Sequence, residues 1–364
     1  KKGAGTFPEN RRAGFLSQKM FIKEDDLKLN DWQFGQRKYL PWEIKLQLTK
    51  TRIREWYDNW GGMVYLSYSG GLDSRVLLHL IRETVGNDVP AVFSNTGLEF
   101  PEIVKFARQA SGEFREIYPV DKDGKRITFR KVITTYGYPL ISKETARKVY
   151  KLRHGNLSDR HRNYLLNGDE RGSFGKLADK WQFLINAPFE TTDKCCEMMK
   201  KKPFDKFVRE TGRYPYIGIT QDEGFKRAHQ YAHTGCNVYD GKTIKSQPMG
   251  FWTKQDVLRY VVENDLEICS VYGDIKQTPC GEYYLTGEQR TGCMFCAFGA
   301  HLEPEPNRFQ RMATSYPHQY DFCMKPVCKG GLGMAEVLDY VGIPWTTWEA
   351  QGQMSITDFP EVLP

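Results

Sequence analysis

Two groups of residues carry chemistry, and the first is Ser69-Gly70-Gly71-Leu72-Asp73-Ser74. Two glycines let the backbone turn sharply and approach a ligand with no Cβ in the way, so amides can face an anion at the start of a following helix. Ser69 and Ser74 add hydroxyls, and Asp73 adds a carboxylate. The pattern is that of a phosphate cradle. It is not a Walker loop, because no G-x-x-x-x-G-K-[ST] occurs. The same residues would also serve as an ordinary strand-to-helix turn with a Ser/Asp cap.

The second group is cysteine. Cys195-Cys196 is followed by Glu197, two methionines, Lys200, Lys201, Lys202 and Pro203, and Cys293-Met294-Phe295-Cys296 comes much later. Four thiolates are the usual complement of a [4Fe-4S] cluster or a structural zinc. Adjacent cysteines suit zinc poorly, since their side chains diverge on most backbones. Cys280, or the pair Cys323 and Cys328, are alternative ligands, whereas Cys236 and Cys269 read as ordinary buried thiols.

The elements that must position these groups are legible in the apolar pattern. Met63–Ser67 is a short apolar run suited to a doubly buried parallel strand, and Val76–Ile81 repeats apolar residues at helical spacing. Upstream, a helix is expected to begin with Pro41 as its first residue. It presents Ile44, Leu48, Ile53, Trp56, Tyr57 and Trp60 near one face and ends at Gly61-Gly62. Val89–Ser94 reads as a second parallel strand ending in Asn95-Thr96-Gly97. Strand, helix, strand is a βαβ unit, whose ligands bind outside the carboxyl ends of the strands. Tyr214–Ile219 reads as a further strand, and Thr253 as the cap of a helix burying Val257, Leu258, Val261 and Val262. The expected fold is α/β, a parallel twisted sheet with helices on both faces and a cysteine-rich C-terminal part. Residues 1–60 are read as an arm and helix, 61–300 as the nucleotide domain with its cysteine site, and 301–364 as an extension.

Bulk properties narrow the class. The 364 residues are 40% apolar, 27% charged and 13% aromatic, which is ordinary for a globular protein able to bury a large core. No apolar stretch has the length of a membrane span and the lysine-rich start lacks an export core, so a cytoplasmic location is expected. Nine cysteines in that setting point to metal or redox chemistry rather than disulfides. The net charge of +7 suits a nucleotide, a nucleic acid or an acidic partner without demanding one. Lys143, Arg147, Lys148, Lys151, Arg153, Arg160 and Arg162 are concentrated between 137 and 163. They form either a solvated helix face or a groove for phosphates, with Ser142 and Lys143 nearest the crevice.

The strand, S-G-G-x-D-S and helix arrangement resembles the PP-loop of ATP pyrophosphatases. That resemblance implies a Rossmann-like nucleotide fold in which Ser67, Ser69, Gly70, Gly71, Leu72, Asp73 and Ser74 surround phosphate. Asn95-Thr96-Gly97-Leu98-Glu99-Phe100-Pro101-Glu102 resembles the D-T-G-x-x-F-P-E segment of the PAPS reductase family, with Asn95 in place of aspartate. This implies that Asn95, Thr96 and Gly97 frame an adenine nucleotide. Residues 218–227 resemble the family's G-x-R-x-x-E-S-x-x-R element. Glu223 and Arg227 match it, but Thr220 replaces the first arginine and Gly224 the serine. Arg227 is therefore the expected cationic phosphate ligand. Gln247–Val257 resembles a P-x-x-x-W-T-x-x-D-V stretch with a structural role.

The cysteine pattern resembles that of iron–sulfur APS reductases, which implies Cys195, Cys196, Cys293 and Cys296 as ligands of a [4Fe-4S] cluster and favours iron–sulfur over zinc. Cys280 would instead be a ligand in the manner of DNA-phosphorothioation ATP pyrophosphatases. The intact loop, and a C-terminal part without the E-C-G-L-H type segment of sulfonucleotide reductases, point to cleavage of ATP at its α-phosphate with Mg²⁺. Asp73, Ser74, Lys143 and Arg227 would be the catalytic residues. Sulfur would come from a partner such as a cysteine desulfurase and pass to an acceptor, a nucleic acid being one candidate. Reduction of APS or PAPS is the second reading, and a non-catalytic nucleotide- or nucleic-acid-binding module the third. The oligomeric state is not encoded in any motif.

Overall fold

The computed structural model describes residues 36–172, 174–223, 231, 234–241 and 243–347. Along the chain, α1 (Trp42–Asn59) leads into β1 (Val64–Tyr68), α2 (Leu72–Val85) and β2 (Ala91–Ser94). Then come α3 (Pro101–Ala107), β3 (Phe114–Ile117), α4 (Phe129–Tyr136) and β4 (Leu140–Ile141). Helices α5 (Lys143–His154), α6 (Asp159–Asn167) and α7 (Lys202–Thr211) precede β5 (Tyr214–Ile217), β6 (Asn237–Val238) and β7 (Lys245–Ser246). After α8 (Lys254–Glu263) lie β8 (Ile275–Gln277), β9 (Tyr283–Leu285) and β10 (Ala297–Phe298). Next come α9 (Arg308–Ser315), α10 (Pro317–Met324) and α11 (Met334–Tyr340).

The chain divides into two compact units. Among the described residues, one comprises 36–93, Lys105–Arg115 and Thr211–Gln289, the other Ser94–Val104, Glu116–Glu210 and 290–347. The first carries a sheet of order β3-β2-β1-β5-β7-β6, the last residues of β2 and β3 being counted with the second unit. β1 pairs in parallel with β2 and β5, and β5 with β7, while β6 runs antiparallel to β7. This is the parallel α/β arrangement expected from the sequence. A parallel strand covered by helices on both faces must be apolar on both, and Val64, Tyr65, Leu66 and Tyr68 are buried accordingly. The strand starts one residue later than the apolar run predicts, because Met63 is 42% exposed.

Polar partners rotate α1 away from its expected face. Pro41 is its extended N-cap rather than its first helical residue, and Ile44 is exposed. The buried residues are Trp42, Lys45, Thr49, Arg52, Ile53 and Trp56. The Lys45 ammonium pairs with Asp256 at 2.6 Å, and Trp252 Nε1 donates to Thr49 Oγ1 at 2.9 Å. Leaving either charge unpartnered there would typically cost about 3–5 kcal/mol, so Lys45 and Asp256 occupy these core positions together. Asp256 also closes the cap of α8: Thr253 N donates to its carboxylate at 2.7 Å and Asp256 N to Thr253 Oγ1 at 3.2 Å. α8 buries Val257, Leu258, Tyr260 and Val261 but leaves Val262 exposed, contrary to the expected face.

In the second unit β10 pairs in parallel with β4, Ala297 opposite Leu140 and Phe298 opposite Ile141. Leu140, Ile141, Val149, Leu184, Met199, Phe309 and Leu338 are among its fully buried side chains. Among the described residues no helix is long and apolar enough to cross a membrane.

Candidate functional site

In the first unit, β1 runs directly into the glycine turn and α2 out of it, gathering Ser67, Ser69, Gly70, Gly71, Leu72, Asp73 and Ser74 at one strand end. Gly70 has φ +69°, a left-handed conformation that glycine alone adopts without strain. The hydroxyls lock the turn. Ser74 Oγ donates to Gly71 O at 2.9 Å and accepts from Ser69 N at 3.2 Å. It lies 3.0 Å from Ser69 Oγ, which in turn accepts from Gly71 N at 3.3 Å. A brace comes from far along the chain: Leu72 N donates to the Tyr272 hydroxyl at 3.0 Å. Asp73 lies in the first turn of α2, whose N-terminal end carries roughly half a positive charge. The turn is thus a preorganised concavity of amides and hydroxyls suited to an anion.

β5 ends against this turn. A Cβ on Gly218 would lie 3.1 Å from both Ser74 N and Ser74 Cα, and 3.2 Å from Asp73 C, so any larger residue there would force the backbone to give by a few tenths of an ångström. Thr220 is buried and Gln221–Glu223 forms a short 3₁₀ turn. Arg227, the expected phosphate ligand, lies outside the described residues.

The Asn95-Thr96-Gly97 segment belongs to the second unit and is tied to its own surroundings. Asn95 Nδ2 donates to Glu116 Oε1 at 2.6 Å while its Oδ1 accepts from Gly97 N at 3.0 Å. Glu99 accepts from Thr96 N at 3.0 Å and from Thr96 Oγ1 at 2.7 Å. The turn borders a pocket of about 240 Å³ with apolar walls from Leu98, Ile127, Phe129 and Phe295, and with Arg126 and Arg130 in its lining.

The same unit assembles the cysteines. Cys195 and Cys196 close the helical turn Lys194–Cys196, which widens into a π turn over Glu197–Lys201. Such widened turns re-aim side chains and recur at functional sites. The two Sγ atoms are 4.0 Å apart. The pKa of the Cys196 thiol is lowered, chiefly by the hydrogen bond from Cys195, with the Lys143 and Lys200 ammoniums adding to it against burial. Cys195 is raised correspondingly by that hydrogen bond and by burial. Burial, followed by the charge of Cys293, pushes Cys296 up to about 12. Burial raises Cys293 as well, opposed by Lys200. Lys200 is held firmly charged, first by Cys293, against burial, and then by Glu99.

The backbone explains these meetings. Met294 N donates to Leu98 O at 2.8 Å and Cys296 N to Cys293 O at 3.2 Å, fixing the second cysteine turn. Arg308 Nη1 donates to Cys296 O at 2.8 Å and is itself paired with Glu303. β10 leaves that turn to pair with β4, after which Ser142 caps α5 and Lys143 opens it. Ser142 Oγ is engaged there, accepting from Thr145 N at 3.0 Å, while Lys143 reaches Cys196. Ile141, just before the cap, has φ +63°, a conformation costing a β-branched residue roughly 1–3 kcal/mol and characteristic of constrained sites. Sequence reasoning missed Tyr272, Glu99 and Gly218 as site residues. Lys200 was legible only as one of three lysines.

Cys195, Cys196, Cys293 and Cys296 are the residues that could hold a metal group. Among the described residues no three His, Cys, Asp or Glu side chains converge as ligands of one ion. Cys195, Cys196, Cys293 and Cys296 all lie in the second unit, the first two with Sγ atoms 4.0 Å apart and with the Lys143 and Lys200 ammoniums acting on Cys196, a four-thiol donor set of the kind a [4Fe-4S] cluster takes. Of the alternatives, Cys280 and Cys328 are exposed and Cys323 is buried. Cys236 and Cys269 are buried, Cys236 Sγ lying 2.9 Å from the Tyr231 hydroxyl.

Comparison with known proteins follows the same lines. The family model for the phosphoadenosine phosphosulfate reductase domain matches residues 63–180 and 173–297. An uncharacterised protein of Methanocaldococcus jannaschii is 24% identical over 247 residues, 67% of this chain, and the chain spans only 38% of that relative's length. Among solved structures, a PAPS reductase from Candida auris is 14% identical with a TM-score of 0.35, covering 67% of this chain and 92% of that one. A U34-tRNA thiolase with a [4Fe-4S] cluster from Methanococcus maripaludis is 14% identical with a TM-score of 0.34, covering 84% and 85%. Because the family match runs through the glycine turn, the Asn95 segment and both cysteine pairs, the chain belongs to the phosphoadenosine phosphosulfate (PAPS) reductase family.

Proposed function

We propose that this chain binds Mg²⁺ and ATP, cleaves the nucleotide between its α- and β-phosphates, and so activates an acceptor for sulfur transfer. The observation that carries this reading is the locked turn Ser69–Ser74 at the N-terminus of α2, with both serine hydroxyls and the glycine backbone in place. An acceptor oxygen attacks the α-phosphorus, the bond to the bridging oxygen breaks, and pyrophosphate leaves with the electron pair. Such a displacement needs charge neutralisation more than a strong base. The turn amides, Ser69, Ser74, the metal oriented by Asp73, and Arg227 would supply it. A hydrosulfide-equivalent donor then attacks the activated carbon of the acceptor, forming C–S and expelling AMP. A nucleic acid is the acceptor class that this reading adopts. Asn95, Thr96, Gly97 and Glu223 remain proposed nucleotide contacts.

Cys195, Cys196, Cys293 and Cys296 would hold a [4Fe-4S] cluster. Bound there, the group supplies fixed charge and a cross-link between the two cysteine segments. Lys143 and Lys200 balance the thiolate charge, and Arg308 holds the Cys296 carbonyl. The test is pyrophosphate release from labelled ATP. The chain should release it, and Ser69→Ala and Asp73→Ala should suppress it. Equal release by all three proteins would remove the turn from the chemistry. A second reading, reduction of APS or PAPS, draws on the family match and predicts thiol-dependent sulfite release instead.

A further inference from the structure

Apart from Lys143, the stretch of the second unit that precedes the first cysteine pair carries charge and aromatic surface that the proposed chemistry does not use. Between Lys143 and Lys180 the chain has ten Lys and Arg against five Asp and Glu, a surplus of five in a protein of net charge +7. Several of these cations are spent internally: Arg147 on Asp193, Lys148 on Glu144, Arg153 on Glu190 and Lys176 on Asp179. Lys151, Arg160, Arg162 and Arg171 are exposed and form no ion pair among the described residues. α6 buries only Leu165, leaving Arg160, His161, Arg162 and Asn163 in solvent. A helix that contributes so little to the core yet presents cations has a surface suited to a polyanion.

Beside it lies an exposed aromatic strip. The 3₁₀ turn Asp179–Asn186 places Trp181 6.1 Å from Phe183, and Phe183 lies 5.6 Å from Tyr340 of α11, centroid to centroid. Phe183 and Tyr340 are 40% and 39% exposed. Lys180 Nζ sits 5.2 Å above the Trp181 ring. Single exposed aromatics are commonplace, but touching ones form a patch that marks an interaction surface. The strip is fastened to α6: Leu177 N donates to Leu165 O at 2.7 Å and Gln182 Nε2 to Leu166 O at 3.0 Å. Cations and rings are therefore held in one fixed arrangement.

We propose that this surface binds an unpaired stretch of nucleic acid, its phosphates on Lys151, Arg160, Arg162 and Arg171 and its bases stacked on Phe183 and Tyr340. The chemistry selects a single strand, because a duplex hides the base faces that rings stack on, and a basic track beside aromatic platforms is how unpaired strands are held. The inference rests on the proposed function, in which the sulfur acceptor is a nucleic acid, and names where that acceptor is gripped.

The test is fluorescence anisotropy of the full chain, without ATP, against labelled single-stranded RNA, single-stranded DNA and duplex RNA over a range of salt. Either single strand should bind more tightly than the duplex. Arg160→Gln/Arg162→Gln should flatten the slope of log affinity against log salt by about 1.4, at roughly 0.7 per phosphate contact of a single strand. Phe183→Ala/Tyr340→Ala should weaken binding about tenfold or more while leaving that slope intact. Circular dichroism and melting confirm that both variants fold. Preference for duplex, or wild-type affinity and slope in both folded variants, overturns the proposal. So does a concentration-dependent dimer that Phe183→Ala/Tyr340→Ala abolishes, since the rings would then belong to an interface between copies. Pyrophosphate release, measured on the same variants, separates the two readings. Single-strand binding by a chain that cleaves no ATP refutes the enzymatic reading alone, whereas ATP cleavage without strand binding refutes this one alone.

Discussion

A single methyl group at Gly218 tests whether the glycine turn is held by close backbone contact. In Gly218→Ala the new Cβ lies 3.1 Å from Ser74 N and Cα and 3.2 Å from Asp73 C. All three are backbone atoms, so no side chain can swing aside. Either β5 or the start of α2 must shift by a few tenths of an ångström. Overpacking of this kind costs about 1–3 kcal/mol. If the displaced atoms are those that cradle phosphate, the same strain weakens nucleotide binding by roughly five- to a hundredfold, at about 1.4 kcal/mol per factor of ten. Isothermal titration with Mg²⁺ and a non-hydrolysable ATP analogue, together with thermal melting, reads both effects. Gly292→Ala is the control, because a Cβ there meets nothing within 4 Å. Wild-type affinity and melting in Gly218→Ala would refute the close-approach reasoning.

Three further outcomes are expected. Tyr272→Phe keeps the ring but strips Leu72 N of its acceptor, a loss of about 1–3 kcal/mol for a buried donor, and calorimetry should show ATP-analogue affinity about tenfold lower; unchanged affinity would show that the brace is dispensable. Burial works against ionisation of Glu303, but the hydrogen bond and charge of Arg308 outweigh it and hold its carboxyl below the usual 4.5. Its stabilisation is therefore present above the unfolded pKa and lost as pH falls through the folded one. Glu303→Gln should lose about 1–2 kcal/mol at pH 7 and show a shallower decline of melting temperature below about pH 4.5; parallel acid curves would contradict this. Anaerobically purified Cys195→Ser and Cys293→Ser should lose iron, sulfide and visible absorbance while Cys269→Ser retains them. A colourless, zinc-loaded wild-type protein would exclude the cluster.

How much was legible depended on the distance over which each feature is assembled. The glycine turn is local: Ser69, Gly71 and Ser74 bond to one another within six residues, so their order in the chain already contains their geometry. The cysteine pairs were visible for the same reason. Tyr272 reaches Leu72 across 200 residues, and a tyrosine at a loop end carries no mark of that role. Glu99 and Lys200 were similarly invisible as partners, because β4, β10 and the π turn bring them to the thiols only in the folded unit. The misread faces of α1 and α8 have a different origin. Buried Lys45 and Thr49 find polar partners in Asp256 and Trp252, so polar residues occupy core positions that a hydrophobic count assigns to Ile44.

The most direct measurement is a crystal structure of the full chain with Mg²⁺ and a non-hydrolysable ATP analogue. The account predicts polyphosphate density against the backbone of Ser69–Ser74, within hydrogen-bonding reach of both serine hydroxyls. An analogue bound elsewhere, with the Ser69–Ser74 hydrogen bonds undisturbed, would contradict it.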